Sequence, residues 1–325
     1  MMEIISTTAA AAAEAAARVA GQVERTDLIR SDAFSEALAA NVWFKLENLQ
    51  TTGSFKLRGA TNRLMTLSDE DRAKGCVTAS SGNHGAATAC AMQKLGVKGV
   101  IFVPEQTSKA KVDKIKRYGG DVRLFGTDGL DTEQHAREFA EQNEMPYLSP
   151  YNDNEVVAGQ GTCGIEILEQ LPDVDAVFIA VGGGGLIAGV GAVLKTHNPN
   201  IRIYGCQPSQ SAVMMRSVEA GEILDLESGR TLSDGTAGGI EAGSITFPLN
   251  EAIVDDWVSV DEAAIAEAMR RYMNDEGHTI EGAAGVAIAA MIERQDEIAG
   301  KNAVVVICGG NISDEVLEQV KSGNA

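Results

Sequence analysis

Apolar residues in this chain gather in short runs, separated by longer stretches with helical spacing. Asn41–Leu46 is one such run and ends in Glu47-Asn48. Gly75–Ala79, Gly99–Val103 (stopped by Pro104), Asp121–Phe125, Ala176–Ala180, Ile201–Cys206, Ala252–Val260 and Ala303–Cys308 are the others. Short apolar runs bounded by Gly, Pro, Ser or Asn read as buried strands. Between them, helical composition predicts helices over 8–20, Gly59–Leu67, Ala86–Leu95, Lys109–Tyr118, Thr132–Asn143, Gly161–Gln170, Leu186–His197, Ser211–Ala220, Asp261–Asp275 and Ala283–Arg294. Strands alternating with helices imply parallel sheets with crossover helices. No sequence repeat of fixed period and no low-complexity linker interrupts the rhythm.

Composition narrows the class. The 325 residues suit two domains or one large α/β unit, and 44% hydrophobic content is enough for a sizeable core. Aromatics are 5% and glycines number 35, which favours small-residue packing and tight βα turns. A formal net charge of −19 repels nucleic acid and anionic membranes, so an anionic substrate needs a local positive site. The five cysteines (76, 90, 163, 206, 308) show no CxxC pair, which fits a reduced, cytoplasmic protein. The Ala-rich stretch Thr7–Ala20 carries Glu14 and Arg18 and reads as a helix, not a signal peptide. No apolar run reaches the length of a membrane span. The four histidines are scattered, and no cluster has metal-ligand spacing.

Four loops carry candidate chemistry. Lys56 follows Thr51-Thr52-Gly53-Ser54-Phe55 and precedes a helix-like run. Desolvated, such a lysine is a nucleophile toward a carbonyl; in water it is an ordinary surface residue. Gly182-Gly183-Gly184-Gly185 follows an apolar strand and opens a helix, which suits a phosphate held by backbone N–H groups, or a bare βα turn. It is not a Walker loop, since no Gly-Lys-Ser/Thr follows. Ser80-Ser81-Gly82-Asn83-His84-Gly85 offers donors for a carboxylate, or an N-cap cluster with a packed histidine. Cys308-Gly309-Gly310-Asn311 ends the last strand, where open α/β sheets place ligands; a turn with a buried thiol is the alternative.

In their order along the chain, and with Tyr151-Asn152 and Ala158-Gly159-Gln160-Gly161-Thr162 between them, these motifs make the chain resemble the fold-type II pyridoxal-phosphate enzymes, in particular the serine/threonine dehydratase and serine racemase group. The resemblance implies two three-layer α/β/α domains with mostly parallel sheets, like the tryptophan synthase β subunit, and a cofactor in the cleft between them. Residues 1–50 plus 151–325 would form the large cofactor domain and 51–150 the small one. It implies that Lys56 forms the Schiff base with pyridoxal 5′-phosphate and later serves as acid/base at the substrate Cα. Phe55, Gly235 and Glu281 would lie near the ring, Asn83 would bond its 3′-oxygen, and Gly182, Gly183, Gly184, Gly185 and Leu186 would cradle its phosphate. Ser80, Ser81, Gly82, Asn83, His84 and Asn152 would bind substrate, and Ser81 stands where racemases keep their second acid/base. Cys308 would partner the pyridine nitrogen; a neutral thiol there makes a weaker electron sink than a carboxylate and favours β-elimination.

Two departures stand out. The family's divalent-cation site would fall at Gln207, Ser211 and Val213, where acidic residues are absent, so no metal is expected. Thr26-Asp27-Leu28 stands where relatives have Thr-Pro-Leu. Because the chain ends at 325, feedback control through a C-terminal regulatory domain is not expected. The reading is a cytoplasmic ammonia-lyase that converts a small β-hydroxy amino acid, L-threonine first and L-serine next, to a 2-oxo acid and ammonia. Rivals are a dehydratase of 3-hydroxyaspartate or of hydroxyectoine breakdown, a serine racemase, and a non-catalytic cofactor- or nucleotide-binding protein. A homodimer or homotetramer is the family-level expectation.

Overall fold

In a computed structural model, residues 2–323 form an α/β protein with two sheets. The strands are β1 (Leu28–Arg30), β2 (Asn41–Lys45), β3 (Cys76–Ala79), β4 (Gly99–Val103), β5 (Asp121–Leu124), β6 (Ala176–Ala180), β7 (Arg202–Pro208), β8 (Asp256–Val260) and β9 (Asn302–Val306). The larger sheet has the order β1-β2-β9-β6-β7-β8, parallel except for β1, which pairs antiparallel with β2 at the edge. The smaller sheet, β3-β4-β5, is wholly parallel. Central strand β6 is Ala-Val-Phe-Ile-Ala with every residue buried, as a strand covered by helices on both faces must be.

The order of strands fixes where chemistry can sit. The Ser80 loop leaves the carboxyl end of β3, the Gly182 loop that of β6, and Cys308 follows β9. Three separated loops therefore open at strand ends, the edge where ligands enter open α/β sheets. Among the described residues no helix is long and apolar enough to cross a membrane.

The expected elements are found with shifted ends, and one changes type. Ala252 and Ile253 belong to a helix, Thr246–Ile253, and strand β8 starts only at Asp256. Leu249 and Ile253, four apart, are both buried, so one face of that turn pays into the core as a helix and not as a strand. Strand β1 and the short helices Asp32–Leu38, Asp69–Lys74 and Asp314–Ser322 add to the expected set.

Candidate active site

Main-chain pairing brings the two ends of the site together. The N–H of Phe55 donates to the Cys308 carbonyl at 3.1 Å and that of Gly310 to the Gly53 carbonyl at 3.0 Å, flanking an antiparallel bridge between Ser54 and Gly309. Lys56 is the first residue of the helix Lys56–Met65. Two residues on, Arg58 enters an ion cluster in which only Glu166 is partly exposed. Its guanidinium meets both Glu47 oxygens at 2.7 and 2.8 Å and both Glu166 oxygens at 2.6 and 2.8 Å, and Lys45 meets Glu166 at 2.6 Å. Burial pushes the Glu47 carboxyl up, but Arg58 and Lys45 outweigh it and hold it below its ordinary range. This cluster locks the first turn of the lysine's helix to the helix Asn154–Gln170, which carries Glu166.

Lys56 itself has no such partner. Its Nζ donates to the Pro150 carbonyl at 2.9 Å and lies 5.0 Å from the Phe55 ring centre. Burial drives its pKa down to about 8, against the upward pull of Cys308 and Glu281. An amine in that range loses its proton readily near neutral pH.

Four helices begin at this place: Lys56–Met65, Asn83–Leu95, Gly185–His197 and Gly282–Glu293. In none does the N-cap residue's own side chain accept from the first turn; at Asn83–Leu95 the Gly82 N–H donates to Ser80 Oγ at 3.2 Å. Orphan donors and the positive ends of the helices face the same space, so a chain of net charge −19 still offers an anion a local positive site. At the Gly182 loop, Gly184 has φ +81°, and a Cβ there would collide with Asn250 Nδ2. A Cβ on Gly183 would strike the Tyr151 ring. Thr246 Oγ1 anchors the loop by donating to the Gly183 carbonyl at 2.7 Å. The buried Asn250 amide beside it has neither Nδ2 nor Oδ1 partnered within the protein.

On the opposite wall, Asn83 Nδ2 lies 3.0 Å from each oxygen of Glu281, which also accepts from the Asn311 N–H at 3.2 Å. Asn311 Nδ2 donates to Asn83 Oδ1 at 2.6 Å, and Lys114 Nζ donates to Asn311 Oδ1. Burial raises the Glu281 pKa to about 7, although Asn83 and Asn311 favour its charged form. His84 Nε2 must donate to the Leu148 carbonyl, 3.1 Å away, since a carbonyl only accepts. Its buried Nδ1 has no partner in the protein, and burial together with Lys56 lowers its pKa to about 3, so the ring is neutral. Cys308 is 2% exposed, with Sγ 4.0 Å from Glu281 Oε1; burial and then Glu281 push its thiol well above the ordinary range, so it stays protonated.

A cavity of about 650 Å³ joins these groups. Phe55, Lys56, Ser80, Ser81, Gly82, Asn83, His84, the Gly182–Leu186 segment, Gly235, Glu281 and Cys308 all line it. Asn152 does not. Its Nδ2 donates to Glu241 at 2.8 Å and its Oδ1 accepts from the Ile245 N–H at 3.0 Å, so it ties two loops together behind the cleft. Pro150, Tyr151, Thr236 and Lys114 line the cavity without having been singled out as site residues. For Lys114 the sequence holds no signal, because it sits in a basic run that reads as a solvated helix face.

Comparison with known proteins agrees with this arrangement. The curated L-threonine dehydratase catabolic TdcB of Escherichia coli is 39% identical over 311 residues, covering 94% of each chain. Among solved structures, the processed form of threonine deaminase isoform 2 from Solanum lycopersicum superposes with a TM-score of 0.89 at 36% identity, over 92% of this chain and 83% of that one. Maize serine racemase gives 0.89 at 32% identity, over 96% of each. The family model described as pyridoxal-phosphate dependent enzyme matches residues 19–309, a span that holds Lys56, the Gly182 loop, Glu281 and Cys308, and the chain belongs to that family.

Proposed function

We propose that the protein is a pyridoxal-phosphate-dependent ammonia-lyase acting on a small β-hydroxy amino acid, L-threonine foremost and L-serine next. The observation that carries this reading is the meeting, in one cavity, of a carboxylate-free lysine, four uncapped helix starts and a neutral buried thiol. The names of the relatives, a threonine dehydratase and a threonine deaminase, support the substrate class.

The residues fit the cofactor. Gly182–Leu186 would hold the phosphate through N–H groups at an uncapped helix start, next to the orphaned Asn250 amide. Lys56 would anchor the carbonyl carbon, Asn83 and Glu281 would flank the ring, and Cys308 would face its nitrogen. When bound, the cofactor supplies an electron sink for the pair left at the substrate Cα. The protein supplies the rest. Ser80, Ser81, Gly82, Asn83 and neutral His84 bind and orient the substrate carboxylate at the start of the Asn83 helix. Lys56, with its lowered pKa, takes the proton from Cα. A neutral thiol at Cys308 would leave the ring nitrogen unprotonated and the electron sink weaker, which favours loss of the β-hydroxyl as water, with the proton that Lys56 took from Cα. The released enamine becomes an imine, which one water hydrolyses, so the net products are a 2-oxo acid and ammonia.

In this reading residues 51–150 form the unit that grips the substrate, and 1–50 with 151–325 the unit that holds the phosphate. All five cysteines are buried and unpaired, which supports a reducing, cytoplasmic setting. Keto-acid release from a panel of β-hydroxy amino acids, with L-threonine giving the highest kcat/KM, is the expected result. Absence of an absorbance band for bound cofactor after adding pyridoxal phosphate would sink the proposal. Ser81 lines the same cavity as Lys56, so racemisation is the second reading: D-serine from pure L-serine marks it, pyruvate marks the lyase.

A further inference from the structure

Next to the phosphate loop lies a polar lock that the reaction does not use. Gln207, on β7, is 1% exposed. Its Oε1 accepts from the Met215 N–H at 2.7 Å; its Nε2 donates to the Val181 carbonyl at 2.9 Å and reaches the Ser211 carbonyl at 3.5 Å. Ser211 Oγ and Ser228 Oγ lie 2.8 Å apart, and both accept from the Gly238 N–H at 3.2 Å. Each of these partners leads to the cleft. Val181 immediately precedes Gly182. Met214, beside Met215, packs its Cε 2.9 Å from where a Cβ on Gly184 would be. Gly238 lines the cavity wall.

A divalent ion does not fit this spot. Hard cations take about six to eight oxygen ligands, carboxylates among them. Here the one amide oxygen is spent on the Met215 N–H, and the amide nitrogen occupies the carbonyls an ion would need. Val213 is buried and carries only carbon. Among the described residues no group of three or more His, Cys, Asp or Glu is placed to hold a metal.

We propose that Gln207 is a positioning residue that stands in for a cation: its NH2 group clamps the carbonyls of Val181 and Ser211, fixes the entry to the Gly182 loop, and makes cofactor binding independent of divalent ions. The role rests on reading Gly182–Gly185 as the phosphate cradle. Absorbance titration of apo-protein with pyridoxal phosphate, with thermal midpoints of apo- and holoprotein, in EDTA and in Ca2+ or Mg2+, tests it. The wild-type protein is expected to show one Kd and one midpoint in both media. Gln207→Met removes both clamps and weakens cofactor binding about tenfold in either medium. Gln207→Glu sets a carboxylate against two carbonyls; it weakens binding about tenfold in EDTA, and Ca2+ restores it, because carboxylate and carbonyls together form an oxygen site. That rescue distinguishes positioning from mere packing, and it judges the proposal even if Gln207→Met fails to fold. Wild-type protein that loses affinity or midpoint in EDTA and regains it with the ion overturns the proposal. So does cofactor binding that ignores both substitutions. Wild-type protein that takes up no cofactor sinks the cradle reading itself, and the positioning role with it.

Discussion

The N–H of Phe55 donates to the carbonyl of Cys308 at 3.1 Å, so Lys56 and the thiol are neighbours through main-chain geometry, whatever their side chains. The thiol can therefore be changed without moving the lysine. Cys308→Ser keeps a neutral group and is expected to retain keto-acid release within a few-fold. Cys308→Asp places a second buried carboxyl against Glu281, and the pair holds a proton between them. It is expected to lower kcat at saturating cofactor by at least about tenfold. Unchanged turnover in Cys308→Asp removes the argument for a neutral partner.

Glu281 makes a prediction for pH. Its folded pKa of about 7 lies above the ordinary 4.5, so between those values the folded state binds more protons than the unfolded one. Its contribution is fully present below pH 4.5 and is lost as pH rises through 7. Lys56 works in the other window: at about 8 against 10.5, the folded state binds fewer protons, so its stability contribution rises with pH there. In denaturant titrations of apo-protein, Glu281→Gln is expected to flatten the decline between pH 4.5 and 7 and leave the rise above 8 in place. A decline that survives the substitution assigns it to another group.

The buried ion cluster sets a cost on breaking it. Arg58 and Glu47 are each 0% exposed. Removing Glu47's charge leaves Arg58 and Lys45 with one carboxylate, that of Glu166, between them, and a buried pair broken this way costs about 3–5 kcal/mol. Glu47→Gln is expected to lower the urea midpoint with an unchanged m-value. A double change of Glu47 and Arg58 to apolar residues should recover much of the loss, and failure to do so would place the cost elsewhere.

At Gly184 the backbone has φ +81° and the space for a side chain is already filled by Asn250. Gly184→Ala takes on roughly 1–2 kcal/mol of backbone strain plus a clash. The loop is expected to shift, with cofactor Kd rising at least about tenfold in absorbance titration. Gly221→Ala is the control: it has φ +75° and nothing within 4 Å, so it should cost stability without touching the Kd.

Fold class and most of the cleft were legible because their signals are local. Ala176–Ala180 reads as a buried strand and is one, and the glycine run after it opens a helix as its spacing says. Of the short helices that escaped, three have a readable start: Ser31, Ser68 and Ser313 accept from the N–H three residues on. They run six to nine residues, too short a stretch for hydrophobic periodicity to mark. Asn152 lies outside the cavity lining for a different reason. It lies beside Tyr151, which does line the cavity, but its amide turns to Glu241, 89 positions away. The Lys114–Asn311–Asn83–Glu281 chain was illegible for the same cause: every link joins distant segments, and no sequence pattern records which side chains will meet.

The strap between residues 53–55 and 308–310 has a consequence for how the protein is made. Asn311 donates to the Thr52 carbonyl across 259 positions of sequence. Loop closure over such a distance is slow, and domains fold as they emerge during synthesis. The lysine, the Ser80 loop and the Gly182 loop all leave the ribosome before the segment that completes their cleft. A nascent chain therefore carries its reactive amine before the strand that lies between β2 and β6 has been made, and the cleft is incomplete until β9 pairs with both.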